Sequence, residues 1–402
     1  MNLANLNKRT LALISGGVVS LASVVQAAPS EVLTALTPTT LSGFVDTSAQ
    51  WNIGSGNANN PAYIFGGPAK ADGFNLNVVK LVVEKPAELS DEWGAGYKVD
   101  LLFGPDAITY GTTPVGGGPG GGFAVKQAYV DLKAPLGNGI EFKIGVWDTI
   151  LGYEVFEPTL NPNYTKSFGY TIEPATFTGV QATYNITEFI AVTAGVANTL
   201  SSTIGSRAFP ARSESYKAYL GDVSLTAPTT ASWGWFGGST LFAAVVNGYN
   251  PGSPAIASLT TGGAPADQTS IYVGATVTTP LKALKVGLAY DYAGVSKQAL
   301  SSSGYANAAG LYLLYQASDK LALNCRGEWF TQTHGNSAAA LPSKVAALTF
   351  TAQYSLWKNV QTEGEFRWDH SADGSHPFGG TVAGTSTARN ATELIASIIY
   401  KF

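Results

Sequence analysis

The chain has 402 residues, with 23 lysines and arginines against 27 aspartates and glutamates, and this negative balance argues against nucleic acid as a partner. Charged residues make up 12% of the chain, about half of the ~25% usual in soluble domains, while aromatic residues reach 11%. After the N-terminal region no segment approaches the ~18 consecutive apolar residues of a spanning helix, so this composition favours a transmembrane β-barrel, which shows lipid only every second side chain.

The first 27 residues have the features of a cleavable signal peptide. Lys8 and Arg9 form a short positive region, an apolar stretch over residues 11–25 follows, and small residues precede a cleavage site after Ala27. A transmembrane anchor is the alternative, but the stretch is short and two consecutive glycines interrupt it. The sequence therefore predicts export, followed by a short N-terminal lead over residues 28–39.

From residue 40 to the end of the chain, apolar and polar residues alternate with a period of two, and helical spacing is almost absent. The segment 360–369 is the sharpest case. Apolar and small residues form one of its faces, and the other face carries four charged residues, Glu363, Glu365, Arg367 and Asp369. Each charge would need a partner in a dry core, whereas a water-filled lumen makes no such demand.

This alternation predicts an all-β fold, a single antiparallel transmembrane barrel of about sixteen strands over residues 40–402. The connections alternate between tight turns and long loops rich in Gly, Ser, Asn and Pro, which is typical of bacterial barrels with short periplasmic turns and long extracellular loops. The predicted strands span residues 40–53, 72–86, 92–103, 123–134, 139–148, 175–185, 188–198, 214–227, 238–250, 268–279, 283–296, 305–317, 320–332, 344–355, 359–371 and 391–402.

Tryptophans lie near the ends of the predicted strands at both rims. Amphipathic rings at the two membrane interfaces form the aromatic girdles of such barrels. Trp233 and Trp235 lie in the connection around Thr229 to Phe236, which is longer than the other turns on its rim. The residues predicted to form the girdle are Trp51, Trp93, Trp147, Trp329, Trp357 and Trp368.

Several short motifs lie between about residues 125 and 184, namely Gln127-Ala128-Tyr129-Val130, Lys143-Ile144-Gly145, Gly152-Tyr153-Glu154, Asn161-Pro162-Asn163-Tyr164-Thr165-Lys166-Ser167, Glu173-Pro174 and Gly179-Val180. In these motifs the chain resembles the OmpL-like β-barrel porins. The resemblance implies an outer-membrane channel, a loop over about 148–174 that folds inward, and the homotrimeric assembly common among porins of this strand number. One departure is Lys166, which stands where arginine is expected and lacks the planar guanidinium fork.

The last residues resemble the end signal that the barrel-assembly machinery reads in outer-membrane proteins. This signal consists here of Ile398, Tyr400 and the terminal Phe402. The barrel-assembly machinery and the lipids of the bacterial outer membrane are therefore the expected partners of the chain.

A pore constriction is the functional hypothesis for the lumen. Asp148, Glu154 and Glu157 place acids in the third long loop. If that loop folds inward, these acids would face cations across the narrow point, and a transverse field would orient polar solutes. The alternative is that the lumenal cations simply pair with neighbouring acids. The cations of the predicted constriction are Lys126, Lys143, Lys166, Lys285, Arg326 and Arg367.

Motifs for catalysis or cofactor binding are weak. Asp369-His370-Ser371 contains the residue types of a hydrolase triad, but consecutive strand residues point to alternating faces. Gly116-x-Gly118-x-x-Gly121 matches a dinucleotide fingerprint without a helix after it. Cys325 is the single cysteine and shares the face predicted to meet lipid. We expect no catalytic residue, no cofactor and no metal.

The sequence thus predicts an outer-membrane porin for the passive diffusion of small hydrophilic solutes and ions. A substrate-specific channel, for instance for sugars, is one alternative and would need an aromatic track, for which Tyr129 and Phe330 are candidates. A structural or adhesive surface barrel without transport is a second alternative, and a soluble secreted all-β protein is a third.

Overall fold

The computed structural model describes residues 39–54, 56–87, 92–112, 122–208, 215–251, 265–296, 303–333 and 342–402. The predicted signal peptide and all but the last residue of the predicted lead lie outside the described residues. The glycine motif at residues 116–121 also lies outside them.

Sixteen β-strands make up most of the described chain. All sixteen predicted strands are confirmed, with ends that differ from the prediction by no more than four residues. They are β1 (Thr40–Asn52), β2 (Gly73–Lys85), β3 (Gly94–Phe103), β4 (Phe123–Ala134), β5 (Ile140–Asp148), β6 (Thr176–Asn185), β7 (Ile190–Ala197), β8 (Ala218–Thr226), β9 (Thr240–Asn250), β10 (Ala266–Thr278), β11 (Leu284–Val295), β12 (Gly304–Gln316), β13 (Leu321–Gln332), β14 (Lys344–Trp357), β15 (Val360–Ser371) and β16 (Asn390–Lys401).

The strands form one closed antiparallel barrel, in which each strand pairs with its neighbours in sequence and β1 pairs with β16. At the closing seam Phe44 pairs with Lys401 and Asn52 pairs with Glu393. Two backbone hydrogen bonds join Gly43 to the terminal Phe402, with N–O distances of 2.9 and 3.0 Å. Closure leaves no unpaired sheet edge, which is the condition for a β-sheet to span a bilayer.

The two faces of the wall differ as the period-two pattern predicts. On β15 the charged residues Glu363, Arg367 and Asp369 point into the barrel and are buried, whereas Phe366 is exposed on the outside. On β16 the outward residue Ile398 is exposed. An apolar outer surface and a charged interior are the reverse of a soluble fold and match a barrel surrounded by lipid.

Exposed tryptophans lie on the outer surface near both rims, and Trp93 and Trp357 are the most exposed of them. The girdle prediction is wrong for Trp147, which is 1% exposed. Its ring packs inside the barrel against Phe177, with ring centroids 6.5 Å apart. Trp147 is four residues after Lys143 on the same strand, and residues separated by an even number share a face. It therefore belongs to the lumen.

The long loops lie on one rim and are numbered in chain order. L1 covers residues 53–72, L2 covers 104–122, L3 covers 149–175 and L8 covers 372–389. L2 contains α1 (Pro105–Tyr110), and L3 contains a 3-10 turn (Pro158–Leu160) and α2 (Phe168–Ile172). Within the described residues, no helix combines the length and the apolar character that a membrane crossing requires.

Candidate functional site

The first limb of L3 runs along the inside of the barrel wall. Ile150, Leu151 and Tyr153 belong to a buried apolar cluster with lumen-facing side chains of several strands. The Tyr153 ring stacks on Tyr312 of β12, with centroids 4.2 Å apart, and its hydroxyl lies 2.9 Å from Oγ1 of Thr276 on β10. Burial of these apolar side chains favours the conformation in which L3 folds into the barrel.

The second limb of L3 contains α2, which lies against β11, β12 and β13. Ser167 caps this helix, since its hydroxyl oxygen accepts a hydrogen bond from the Tyr170 N–H at 3.0 Å. At the same end the Phe168 N–H donates to Glu328 Oε1 on β13 at 2.7 Å, and the Phe168 ring stacks on Phe330 with centroids 4.9 Å apart. The helix start is thus attached to β13.

Arg326 of β13 links L3 to the wall. Its Nη1 atom lies 2.8 Å from Glu154 Oε1 in L3, and its Nε atom lies 2.8 Å from Glu328 Oε2 on its own strand. Nη1 also donates to the Thr165 carbonyl oxygen at 2.6 Å. The guanidinium and both carboxylates are buried. The hydrogen bond from Nη1 to Glu154 is charge-assisted, and such bonds are stronger than those between neutral groups.

Arg367 of β15 makes a second link two strands away. Its guanidinium forms a bidentate pair with Asp369, with N–O distances of 2.8 and 2.9 Å, and donates to the Lys166 carbonyl oxygen at 2.8 Å. Its Cζ atom lies 3.9 Å from the centroid of the Tyr63 ring of L1. The Tyr63 hydroxyl donates to Glu393 of β16 at 2.5 Å. Arg367 therefore joins L1 and L3 to the same part of the wall.

The 3-10 turn of L3 meets lysines on the opposite wall. Lys80 of β2 pairs with Glu157 of L3 and, at 2.8 Å, with Asp100 of β3. Lys126 of β4 pairs with Asp148, and its ammonium lies 3.4 Å from Glu157. Burial raises the pKa of Glu157, but the two ammonium groups outweigh this effect and hold the pKa below its usual range. Glu157 is therefore ionised between two lysines.

A pair of carboxyl groups lies where L3 returns to the wall. Glu173 is buried beside Asp291 of β11. Burial and the neighbouring Asp291 carboxyl raise the pKa of Glu173 well above its usual range. Gly152 makes room for this side chain, since its φ is +108° and a Cβ there would lie 2.2 Å from Glu173 Oε2. A proton shared by the two carboxyls avoids two like charges in a buried place.

A small cavity lies between L1, the tip of L3 (residues 156–166) and the wall formed by β1, β2 and β16. Its volume is about 40 Å³, and Asp46, Asn77, Tyr63, Tyr164 and Lys166 are among the residues that line it. The tip of L3 is thus close to the wall here without filling the space between them.

The residues predicted for a constriction fall into two groups. Seven lie in L3, adjoin it or contact it. Glu154, Glu157 and Lys166 lie in L3, and Asp148 is the strand residue just before it. The residues that contact L3 from the wall are Lys126, Arg326 and Arg367. The other two lie on strands of the wall. Lys143 lies over the Tyr129 ring, 5.2 Å from its centroid, and Lys285 is the second residue of β11, beside a short turn.

Sequence reasoning missed several groups in this region, and Asn77 and Lys80 show the reason. The register between β1 and β2 shifts next to Asp46, which pairs with Val78, while the following residue pairs with Leu76. Asn77 is the extra residue of this bulge, so Asn77 and Lys80 both point inward although they are three residues apart. Simple alternation assigns two such residues to opposite faces.

A closed sixteen-strand barrel with an apolar outside, a charged interior and a loop inside the lumen defines an outer-membrane channel protein. The profile of the family described as "Putative beta-barrel porin-2, OmpL-like" matches residues 38–402. The chain belongs to this porin family. A search of curated protein sequences finds no match.

Solved porin structures share the fold at low sequence identity. The anion-selective porin from Comamonas acidovorans is 15% identical, with 90% of this chain and 99% of that chain covered and a TM-score of 0.58. The outer-membrane channel DcaP of Acinetobacter baumannii is 12% identical, with 90% and 97% covered and a TM-score of 0.56. The trimer form of OmpT of Vibrio cholerae is 14% identical, with 90% and 99% covered and a TM-score of 0.56.

Proposed function

We propose that the protein is a passive diffusion channel for small hydrophilic solutes and ions in the bacterial outer membrane. The observation that carries this proposal is the attachment of L3 to cations on four separate strands, β2, β4, β13 and β15. Ion pairs and hydrogen bonds to separate strands hold the loop across the lumen at a fixed position along the barrel axis. A loop so placed narrows an aqueous path, and the narrowing sets which solutes pass.

The acids of L3 contribute to the narrow region mainly through their ion pairs. Glu154 is paired with Arg326, and Glu157 is paired with Lys80 and Lys126. Because each acid has a cationic partner, we propose that these groups position L3 and shape a local field instead of giving the channel a large net charge. Polar solutes aligned with that field pass more easily than apolar ones.

Planar-bilayer recording of the refolded protein tests the channel, and the double variant Glu154→Gln with Glu157→Gln tests the loop. We expect the double variant to change single-channel conductance and ion selectivity, since it removes one acidic partner from each of three lumenal cations, Arg326, Lys80 and Lys126. Glu188→Gln, on an exposed short turn, serves as a control and should leave both unchanged. Unchanged behaviour of the double variant would remove these acids from the narrow region, and a folded barrel that does not conduct would favour a structural role.

We also propose that the mature protein begins after Ala27 and assembles as a homotrimer. The signal-like N-terminal sequence supports the first point, and the trimer form of the similar OmpT supports the second. N-terminal sequencing of the membrane-extracted protein and its mass in detergent test these two points separately. A mature protein that retains its first 27 residues, or a barrel of monomer mass, would contradict the respective proposal.

A further inference from the structure

The cavity beside the tip of L3 has hydrogen-bond acceptors on its strand wall. Asn77 donates through Nδ2 to the Ser48 hydroxyl at 3.0 Å and to the Tyr164 hydroxyl at 2.8 Å. The Tyr164 hydroxyl in turn donates to both carboxylate oxygens of Asp46, at 3.1 and 3.2 Å. The Asn77 amide and the Tyr164 hydroxyl therefore donate their hydrogen bonds within the protein. The Asp46 carboxylate is the final acceptor of this series of hydrogen bonds.

One acceptor in the cavity is left over. Asn77 is 1% exposed, and its Oδ1 atom has no hydrogen-bond partner within the described part of the chain. A buried amide oxygen without a donor costs free energy. Asp46 is also buried, and among the residues with described positions no lysine, arginine or histidine is within ion-pair distance of it. The Asn77 side-chain oxygen and the Asp46 carboxylate can therefore accept more hydrogen bonds than the protein provides.

The two lysines that line the same cavity have partners elsewhere. Lys70 of L1 pairs with Asp106 of α1 at 2.6 Å. Lys166 of L3 donates to the carbonyl oxygens of Val155 and Phe156, at 2.6 and 3.1 Å. Neither ammonium is within ion-pair distance of Asp46, although both lysines line the cavity. The acceptors on the strand wall thus receive no direct contact from either lysine.

The volume of the cavity and the residues that line it restrict which ligands can bind there. A volume of about 40 Å³ has room for a few water-sized groups. Tyr63, Phe65 and Phe156 line the cavity as well, and aromatic faces attract cations. A K⁺ ion exchanges its hydration shell only for a ring of several oxygens, whereas an N–H donor is satisfied by one directed acceptor.

We propose that this cavity is a binding subsite for small ammonium-type cations, with the Asp46 carboxylate and the Asn77 side-chain oxygen as acceptors. The subsite rests on the channel function proposed above and gives it a solute class. An ammonium ion or the head of a primary alkylammonium ion supplies N–H donors and a positive charge directly at these two acceptors, which neither cavity lysine contacts.

Reversal potentials in planar bilayers test the subsite, with ammonium chloride on one side and potassium chloride on the other. We expect the wild-type channel to prefer ammonium, and Asp46→Asn to lower the ammonium-to-potassium permeability ratio about tenfold, the scale of losing one hydrogen bond between an N–H donor and a charged acceptor. Asn77→Asp should raise the preference for cations over chloride. Asp319→Asn, on the short turn between β12 and β13, is the control and should change neither ratio.

The outcomes separate the subsite from the channel. A correctly folded wild-type barrel that does not conduct overturns the channel function, and the subsite with it. A conducting channel whose ammonium-to-potassium ratio is the same in Asp46→Asn overturns the subsite alone. If Asp46→Asn changes only the preference for cations over chloride, the carboxylate acts as a simple charge, and recognition of N–H donors is wrong. Resistance to unfolding by SDS without heating confirms that each variant is folded.

Discussion

Glu154 Oε1 in L3 lies 2.8 Å from Arg326 Nη1 on β13, and neither side chain has exposed surface. The two residues are far apart in sequence and meet only because L3 runs inside the barrel. A buried pair of this kind gains little over a well-packed apolar pair, but loss of one partner leaves an uncompensated charge. The pair therefore fixes the position of L3 more than it stabilises the wall.

Arg326→Met tests this attachment. The variant leaves Glu154 and Glu328 buried without the guanidinium, so we expect the free energy of unfolding to fall by about 3–5 kcal/mol. Urea unfolding of the refolded barrel measures the change. Lys98→Met is the matched control, because Lys98 pairs with Glu84 at 3.5 Å and both are partly exposed, and it should cost at most about 1 kcal/mol. Equal losses in the two variants would contradict an anchoring role for Arg326.

Glu173 makes stability fall as the pH rises. Burial and the Asp291 carboxyl raise its folded-state pKa, so the folded protein holds a proton that the unfolded chain releases near pH ~4.3. Its stabilising contribution is complete below that pH and is lost as the pH rises towards the folded-state pKa, at about 1.4 kcal/mol for each unit of difference. Glu173→Gln should remove this dependence of the free energy of unfolding on pH. Urea midpoints between acid and alkaline pH measure it, and identical slopes in both proteins would exclude proton sharing.

Glu157 acts in the opposite direction. Lys126 and Lys80 outweigh burial and lower its folded-state pKa, so its contribution is complete above the unfolded value of about 4.3 and is lost as the pH falls below it. Glu157→Gln should lower the free energy of unfolding at neutral pH. It should also make the loss of stability in acid less steep. The informative quantity is the wild-type stability minus that of the variant, because other carboxyls titrate in the same range. A difference that does not shrink in acid would contradict the pairing.

The wall of the barrel was predictable because its pattern is local. One strand such as β15 already shows which side chains face water and which face lipid, since alternation follows from the pleat itself. Trp147 shows that the same rule also corrects errors: its even separation from Lys143 places it inside, although it lies near a strand end. Nearness to a rim was the weaker criterion.

The contacts of the lumen were not predictable in the same way. Lys80 and Asn77 share a face because of a bulge, and a bulge depends on the partner strand as well as on the strand that contains it. The pairing of Glu154 with Arg326 depends on the path of L3, which is set by apolar packing around Tyr153. The sequence indicates that charges line the lumen, but it does not indicate which of them meet.

The connection between β8 and β9 exposes two tryptophans that were not among the six predicted for the girdle. Its 3-10 helix (Ala231–Phe236) exposes Trp233 by 46% and Trp235 by 55%, and residues 227–239 contain no charged side chain. Leu225 and Leu241, exposed on the adjoining strands, continue this apolar surface to the membrane. We therefore expect both indole rings to lie in the lipid interface at the short-turn rim.

Replacement of Trp233 and Trp235 by serine should lower the stability of the barrel in lipid bilayers by about 2 kcal/mol, the scale of burying one large apolar side chain. Brominated phospholipids supply the direct measurement, because they quench indoles that touch lipid. Trp235→Phe should remove a quenchable part of the fluorescence, whereas Trp147→Phe should remove an unquenched part, since Trp147 is buried in the lumen. If the fluorescence lost in Trp235→Phe resists quenching, the helix extends into the aqueous phase, and its exposed rings face a partner other than lipid.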